Sequence, residues 1–112
     1  AELAASIRAG KMVKVDHHET LADGCAGGVD SDTITLGLGT EVIDDLIDCS
    51  EKQIVSGLQQ IAWSEKMLVE GSAGLAYAAW QEDARKNNNK ISAVVLCGAN
   101  FDKETLSPIV NL

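Results

Sequence analysis

Residues 91–100 read Ile91-Ser92-Ala93-Val94-Val95-Leu96-Cys97-Gly98-Ala99-Asn100, and this stretch decides the fold. Its first seven positions form an apolar run with two adjacent β-branched valines. Such runs mark a strand covered on both faces, as in a parallel sheet. Gly98 then breaks the run. Ligands of open α/β sheets bind beyond the carboxyl ends of the strands. The turn Cys97-Gly98-Ala99-Asn100 is therefore a candidate binding turn.

Working back from this strand, Lys86 to Lys90 holds Asn87, Asn88 and Asn89 and reads as a solvated turn. It ends a helix expected from near Ser72 to about Arg85, with Leu75, Ala78 and Ala79 inward. The Ala and Gly content of that helix suits close packing against a sheet. Just before it lies a second candidate turn, Val69-Glu70-Gly71-Ser72. Glycines there let a ligand approach the backbone, and helix N-terminal amides favour anions. The plainer reading of both turns is that they only reverse the chain.

Further back, the clearest helix runs from Glu51 to about Lys66. Ser50 and Gln53 have the spacing of a capping box. Ile54, Leu58, Ile61 and Ala62 form its inward stripe. Leu46 to Cys49 suggests a brief strand. Over Ile34 to Leu46, Gly37 and Gly39 weaken a helix at the front, whereas Val42, Ile43 and Leu46 favour one in the second half. Asp16 to Asp32 is loop, with one helical turn at Leu21–Ala22. Met12 to Val15 alternate as in an exposed strand. Glu2 to Ala9 has helical spacing, ended by Gly10. Downstream, a last short helix begins at Lys103. Alternating helices and short strands mean α/β, with four or five helices and few strands. One confident buried strand is too little for a self-sufficient sheet. Residues 1–112 are thus expected to form a single partial domain of something larger.

Bulk properties narrow the function. The chain has 112 residues, 46% hydrophobic and only 4% aromatic, so Ala, Val, Leu and Ile must build its core. Its net charge of −8 argues against nucleic acid, which requires a basic footprint, and against anionic membranes. Cys25, Cys49 and Cys97 have no CxxC spacing, so zinc and dithiol chemistry are not indicated. Such scattered cysteines fit a reducing cytosol, and the expected location is cytoplasmic. No apolar run approaches membrane-spanning length.

Several side chains invite a chemical reading. Cys97 could act as a nucleophile at a helix start, but no histidine adjoins it in sequence, and a neutral thiol at a strand end is the simpler reading. His17 and His18 adjoin Asp16 and Glu19. Neighbours on an extended chain point to opposite sides, which disfavours a shared metal ion. Trp63 and Trp80 are expected at core edges. Asp44, Asp45 and Asp48 are expected on a solvated face.

Four stretches occur together in order: Thr20-Leu21-Ala22-Asp23-Gly24; Val42 to Cys49 followed by Ser50-Glu51; Leu68-Val69-Glu70-Gly71-Ser72-Ala73-Gly74; and Val94-Val95-Leu96-Cys97-Gly98-Ala99-Asn100. In that order they resemble the last third of the fold-type-II pyridoxal-phosphate (PLP) enzymes of the threonine dehydratase and serine racemase group, which are tryptophan synthase beta-like. Gly71, where that group usually has proline, is most similar to its ectoine-utilisation branch. The resemblance implies a piece of the three-layer α/β large domain of such an enzyme. It implies a cofactor whose pyridine nitrogen meets Cys97, with Gly98 beside it and Glu70 near the ring. It also implies an effector-nucleotide role for Lys66 and Asn100, and one carboxylate of a divalent-metal site at Glu2.

The departures are as informative. The family's Schiff-base lysine sits in a Ser-x-Lys-x-x-Gly setting. Ser64-Glu65-Lys66 is followed by Met67, Leu68 and Val69, which is not that motif. A phosphate cradle needs several successive free amides, and Gly27-Gly28 alone is too short. The resemblance therefore implies a segment of an enzyme that deaminates hydroxy amino acids such as threonine or serine to 2-keto acids. The segment would be inactive alone and would not hold PLP stably. Its partner would be the missing N-terminal part or another copy. The alternative is a truncated, non-catalytic module that oligomerises or binds a partner.

Overall fold

A computed structural model describes residues 1–86 and 89–111. Its regular elements are helices: α1 (Glu2–Ala9), α2 (Ile34–Val42), α3 (Glu51–Gln60), α4 (Gly71–Lys86) and α5 (Lys103–Val110), with a 3-10 turn at Asp23–Cys25. Asn87 and Asn88 of the expected asparagine turn lie outside the described residues.

Helix α3 forms as its sequence requires. The Ser50 side chain caps the Gln53 amide, and the Gln53 side chain accepts from the Ser50 amide at 2.8 Å. Ile54, Leu58 and Ile61 are at most 2% exposed. Burial of each contributes about 2 kcal/mol. After Gln60 the helix widens into one π turn, Ile61–Glu65, and stops where Lys66 turns left-handed at φ 59°. Trp63, expected at a core edge, is instead 59% exposed on that turn.

Helix α4 packs along α3 at two glycines. A Cβ on Gly57 would stand 2.7 Å from the Gly74 carbonyl oxygen, and one on Gly74 would stand 2.7 Å from Leu58 Cγ. Ala22, Val69, Ala73 and Ile109 complete the core around the α3 stripe. Helix α5 is capped by Asp102, whose carboxylate accepts from the Thr105 amide at 2.7 Å. Gln59 Nε2 fixes α5 by donating to the Ile109 carbonyl at 2.9 Å. Gly10, left-handed at φ 66°, closes α1.

Two expectations are corrected. The helix between 34 and 46 occupies the front of that stretch, Ile34–Val42, and not its second half. Thr33 caps it by accepting from the Thr35 amide. Gly39 lets it approach α1, since a Cβ there would lie 2.8 Å from Ile7 Cδ1. Close packing thus outweighs the low helix propensity of glycine.

The second correction concerns the sheet. Among the described residues no strand forms: 12–15, 46–49 and 91–97 all lack a ladder. A strand exists only through hydrogen bonds to a neighbour, and these segments do not pair with one another. Residues 91–97 nevertheless keep the alternation of an extended chain. Val94 and Leu96 are half-buried and line one pocket with Ile61, Tyr77 and Trp80, while Ser92 on the same side is exposed. On the other side Ile91, Val95 and Cys97 are exposed. The expected cover on both faces is therefore present on one.

Candidate functional site

The two candidate turns, far apart in sequence, meet in space. The Glu70 amide donates to the Gly98 carbonyl at 3.0 Å. The Glu70 carboxylate then folds over Gly98, where a Cβ would lie 2.8 Å from its carboxyl carbon and from both oxygens. Its Oε2 accepts from the Asn100 amide at 3.0 Å, and its Oε1 lies 3.7 Å from Cys97 Sγ, which donates to it. Glu70 is held because it directly precedes α4, where its carbonyl accepts from the Ala73 and Gly74 amides. Cys97, Gly98, Glu70 and Asn100 are thus one cluster at the end of the 91–97 segment. Cys97 is exposed, and its single S–H is turned to the Glu70 carboxylate.

The remaining candidates stand apart. Lys66 Nζ donates to the Trp63 carbonyl and sits 5.9 Å from the Trp63 ring centroid. No hydrogen bond joins it to Asn100. Glu2 is buried, 6% exposed, in α1. Its Oε1 accepts from the Val29 amide at 3.0 Å, and its Oε2 is 3.5 Å from His17 Nε2. The Val29 amide chiefly holds the Glu2 carboxyl below its usual range. Burial opposes this, while His17, the Val15 amide and Lys14 add to it. Among the described residues no group of three or more His, Cys, Asp or Glu could hold a metal ion. Within this chain the Glu2 carboxylate is engaged by the Val29 amide and His17.

Sequence reasoning missed the neighbours of this cluster. The loop Thr20–Gly24 seats on the first turn of α4. The Leu21 carbonyl oxygen lies 1.7 Å from where a Cβ on Gly71 would be. Ser72 Oγ, buried and without a hydrogen-bond partner among the described residues, is 3.0 Å from the Cβ position of Gly24. The Glu51 carboxylate grips the loop through the Thr20 hydroxyl and the Leu21 amide. The motif order hinted that these segments belong together, but nothing local to residue 21 or 51 shows the contact.

Comparison with known proteins gives this cluster a setting. Residues 1–98 match the family model described as "Pyridoxal-phosphate dependent enzyme". The chain is 30% identical over 99 residues to the serine racemase of Schizosaccharomyces pombe, covering 88% of this chain and 30% of that protein. It is 28% identical over 107 residues to the L-threonine ammonia-lyase of Thermotoga maritima, covering 96% of this chain and 26% of that protein. The structure of maize serine racemase superposes with a TM-score of 0.79 at 25% identity, over 96% of this chain and 34% of that one. The chain belongs to the family of pyridoxal-phosphate dependent enzymes. Its likeness runs to the serine racemases and threonine ammonia-lyases within it, of which it spans about a quarter to a third.

The residues present fit one part of that cofactor. Cys97, exposed beside Glu70, offers a thiol to the edge of a planar ring. Among the described residues nothing suits its phosphate or its aldehyde. Gly27 and Gly28 lie in open space, and two glycines fall short of the run of successive amides that a phosphate loop needs. Lys66 is turned to Trp63.

Proposed function

We propose that this chain is the segment of a PLP-dependent hydroxy amino acid deaminase or racemase that faces the cofactor's ring nitrogen. One observation carries the reading: the Glu70 carboxylate gathers the Cys97 thiol and the Asn100 amide at the mouth of a glycine turn. When bound, the cofactor supplies an electron sink for bonds at the substrate α-carbon. This chain's residues bind and orient. Cys97 can turn its one S–H from the Glu70 carboxylate to the ring nitrogen, and Glu70, seated over Gly98, fixes the turn that carries it. The lysine that moves the α-proton and the phosphate loop belong to the remainder of such an enzyme. Threonine or serine, converted to a 2-keto acid and ammonia, is the substrate class this reading assigns.

The same reading assigns the sheet. Segments 12–15, 46–49 and 91–97 become strands of the three-layer α/β domain when the remainder of the enzyme pairs with them. The exposed Ile91 and Val95, at 105% and 73%, support this. A second reading, a non-catalytic module that pairs with another copy, is favoured by the exposed α2 stripe of Ile34, Leu38 and Val42. No helix among the described residues is long and apolar enough to cross a membrane. Three free cysteines support a reducing, cytoplasmic setting.

The test is substitution of Cys97 in the cofactor-loaded enzyme. Cys97→Ser keeps a donor and is expected to keep activity. Cys97→Ala loses about one neutral hydrogen bond, ~1 kcal/mol, and about fivefold to tenfold in activity. A serine variant as impaired as the alanine variant would sink this role.

A further inference from the structure

We propose that Glu51 is the positioning residue for the Glu70 carboxylate, acting through the loop Thr20–Gly24. The proposal rests on the reading of Glu70 and Cys97 given above. Glu51 is the first residue of α3 and lies outside the cluster. Its two carboxylate oxygens take two different groups of the loop: Oε1 accepts from the Thr20 hydroxyl and Oε2 from the Leu21 amide. Thr20 Oγ1 in turn accepts from the Ala22 amide at 3.1 Å. These three bonds fix the direction of the Leu21 carbonyl.

That carbonyl lies against Gly71, so closely that any side chain at 71 would collide with it. Gly24, at the far end of the loop, lies against Ser72 Oγ. Gly71 and Ser72 open α4, and Glu70 is the residue before them. The loop is therefore a clamp on the turn that aims the Glu70 side chain. From there the Glu70 oxygens reach Cys97 and Asn100. Releasing the clamp frees Gly71 and Ser72 to relax toward the vacated space and swings the carboxylate off the Asn100 amide. The capping of α3 does not depend on Glu51, since Ser50 and Gln53 supply it.

Amide hydrogen exchange of the native protein that carries these residues, read residue by residue by NMR, tests this without added cofactor. In Glu51→Ala the Leu21 amide loses its acceptor and exchanges faster. The diagnostic amide is Asn100, which Glu51 does not touch. It is expected to exchange about tenfold faster, with Leu58 in the core unchanged. Glu51→Gln, whose side chain can still accept from Leu21 and pair with Thr20, should restore Asn100 to within about twofold of the parent. Faster exchange at Leu21 with Asn100 unchanged would overturn the proposal, because the clamp would then be local. So would equal acceleration at Asn100 and Leu58, because Glu51 would then only stabilise the fold. Failure of the cofactor reading would show in the Cys97 variants and not in these exchange rates.

Discussion

Substituting Gly98 by alanine separates the site from the fold. The added Cβ would stand 2.8 Å from the carboxyl carbon and both oxygens of Glu70. An ordinary van der Waals contact begins near 3.4 Å, so the carboxylate must retreat by roughly 0.6 Å. It can do so cheaply, being the free end of a flexible side chain. The retreat stretches the 3.0 Å bond from the Asn100 amide and the 3.7 Å contact with Cys97. A hydrogen bond to a charged group is worth about 1.5–3 kcal/mol. Asn100 is exposed and Glu70 only half-buried, so we take the lower end, about 1.5 kcal/mol. Against this, alanine restricts the unfolded chain by about 0.4–1 kcal/mol, and the Gly98 φ is not in the left-handed region. The two nearly cancel. Urea unfolding of Gly98→Ala should thus give a stability within about 1 kcal/mol of the parent. Exchange of the Asn100 amide should nonetheless rise by about tenfold. Unchanged exchange at Asn100 would refute the argument, since the carboxylate would then not be seated on Gly98 as described. A loss of several kcal/mol in global stability would refute it too.

Other outcomes follow from the packing and the titrating groups. Leu58→Ala empties a site 2% exposed and should cost about 2–5 kcal/mol, a large share of the ~5–15 kcal/mol typical of a domain; thermal unfolding followed by circular dichroism measures it. Burial pushes the Cys49 thiol up, with Glu82 and Asp48 adding to it. Mild alkylation with mass mapping should therefore label exposed Cys25 and Cys97 well before Cys49. The Thr105 amide, then the Thr105 hydroxyl, holds the Asp102 carboxyl below its ordinary 3.8. A depressed carboxyl contributes stability that is present above the unfolded value and lost as pH falls through the folded one. Acid below about pH 4 should therefore loosen α5. Asp102→Asn keeps a cap and should remove that acid step; an unchanged step, seen by circular dichroism, would exclude Asp102 as its source.

How much was legible in the sequence divides along local and non-local lines. Helix α1 with its Gly10 stop, the Ser50–Gln53 box and the extent of α4 rest on residues within one or two turns, and the structure shows each of them. The position of α2 rests on Gly39 meeting Ile7, which lies 32 residues away (39 minus 7) and leaves no local trace. The strand expected at 91–97 has the composition of a strand but not its partners, and pairing is a property of two segments, not one. In the site, Cys97, Gly98, Glu70 and Asn100 were singled out by two glycine turns, and the structure joins them. Lys66, named only through the family resemblance, stands away from them, because the π turn at Ile61–Glu65 ends α3 with Lys66 against Trp63. The Glu51 clamp was invisible, since a glutamate at the first position of a helix is ordinary in sequence.

The central claim is that this chain supplies the ring-facing wall of a PLP enzyme while the lysine that links the cofactor lies elsewhere. Borohydride reduction of the cofactor-loaded native protein, followed by peptide mass mapping, tests it most directly. The account predicts one stoichiometric phosphopyridoxyl-lysine on a peptide outside these 112 residues. Stoichiometric labelling of Lys66, or of any other lysine in this chain, would contradict it.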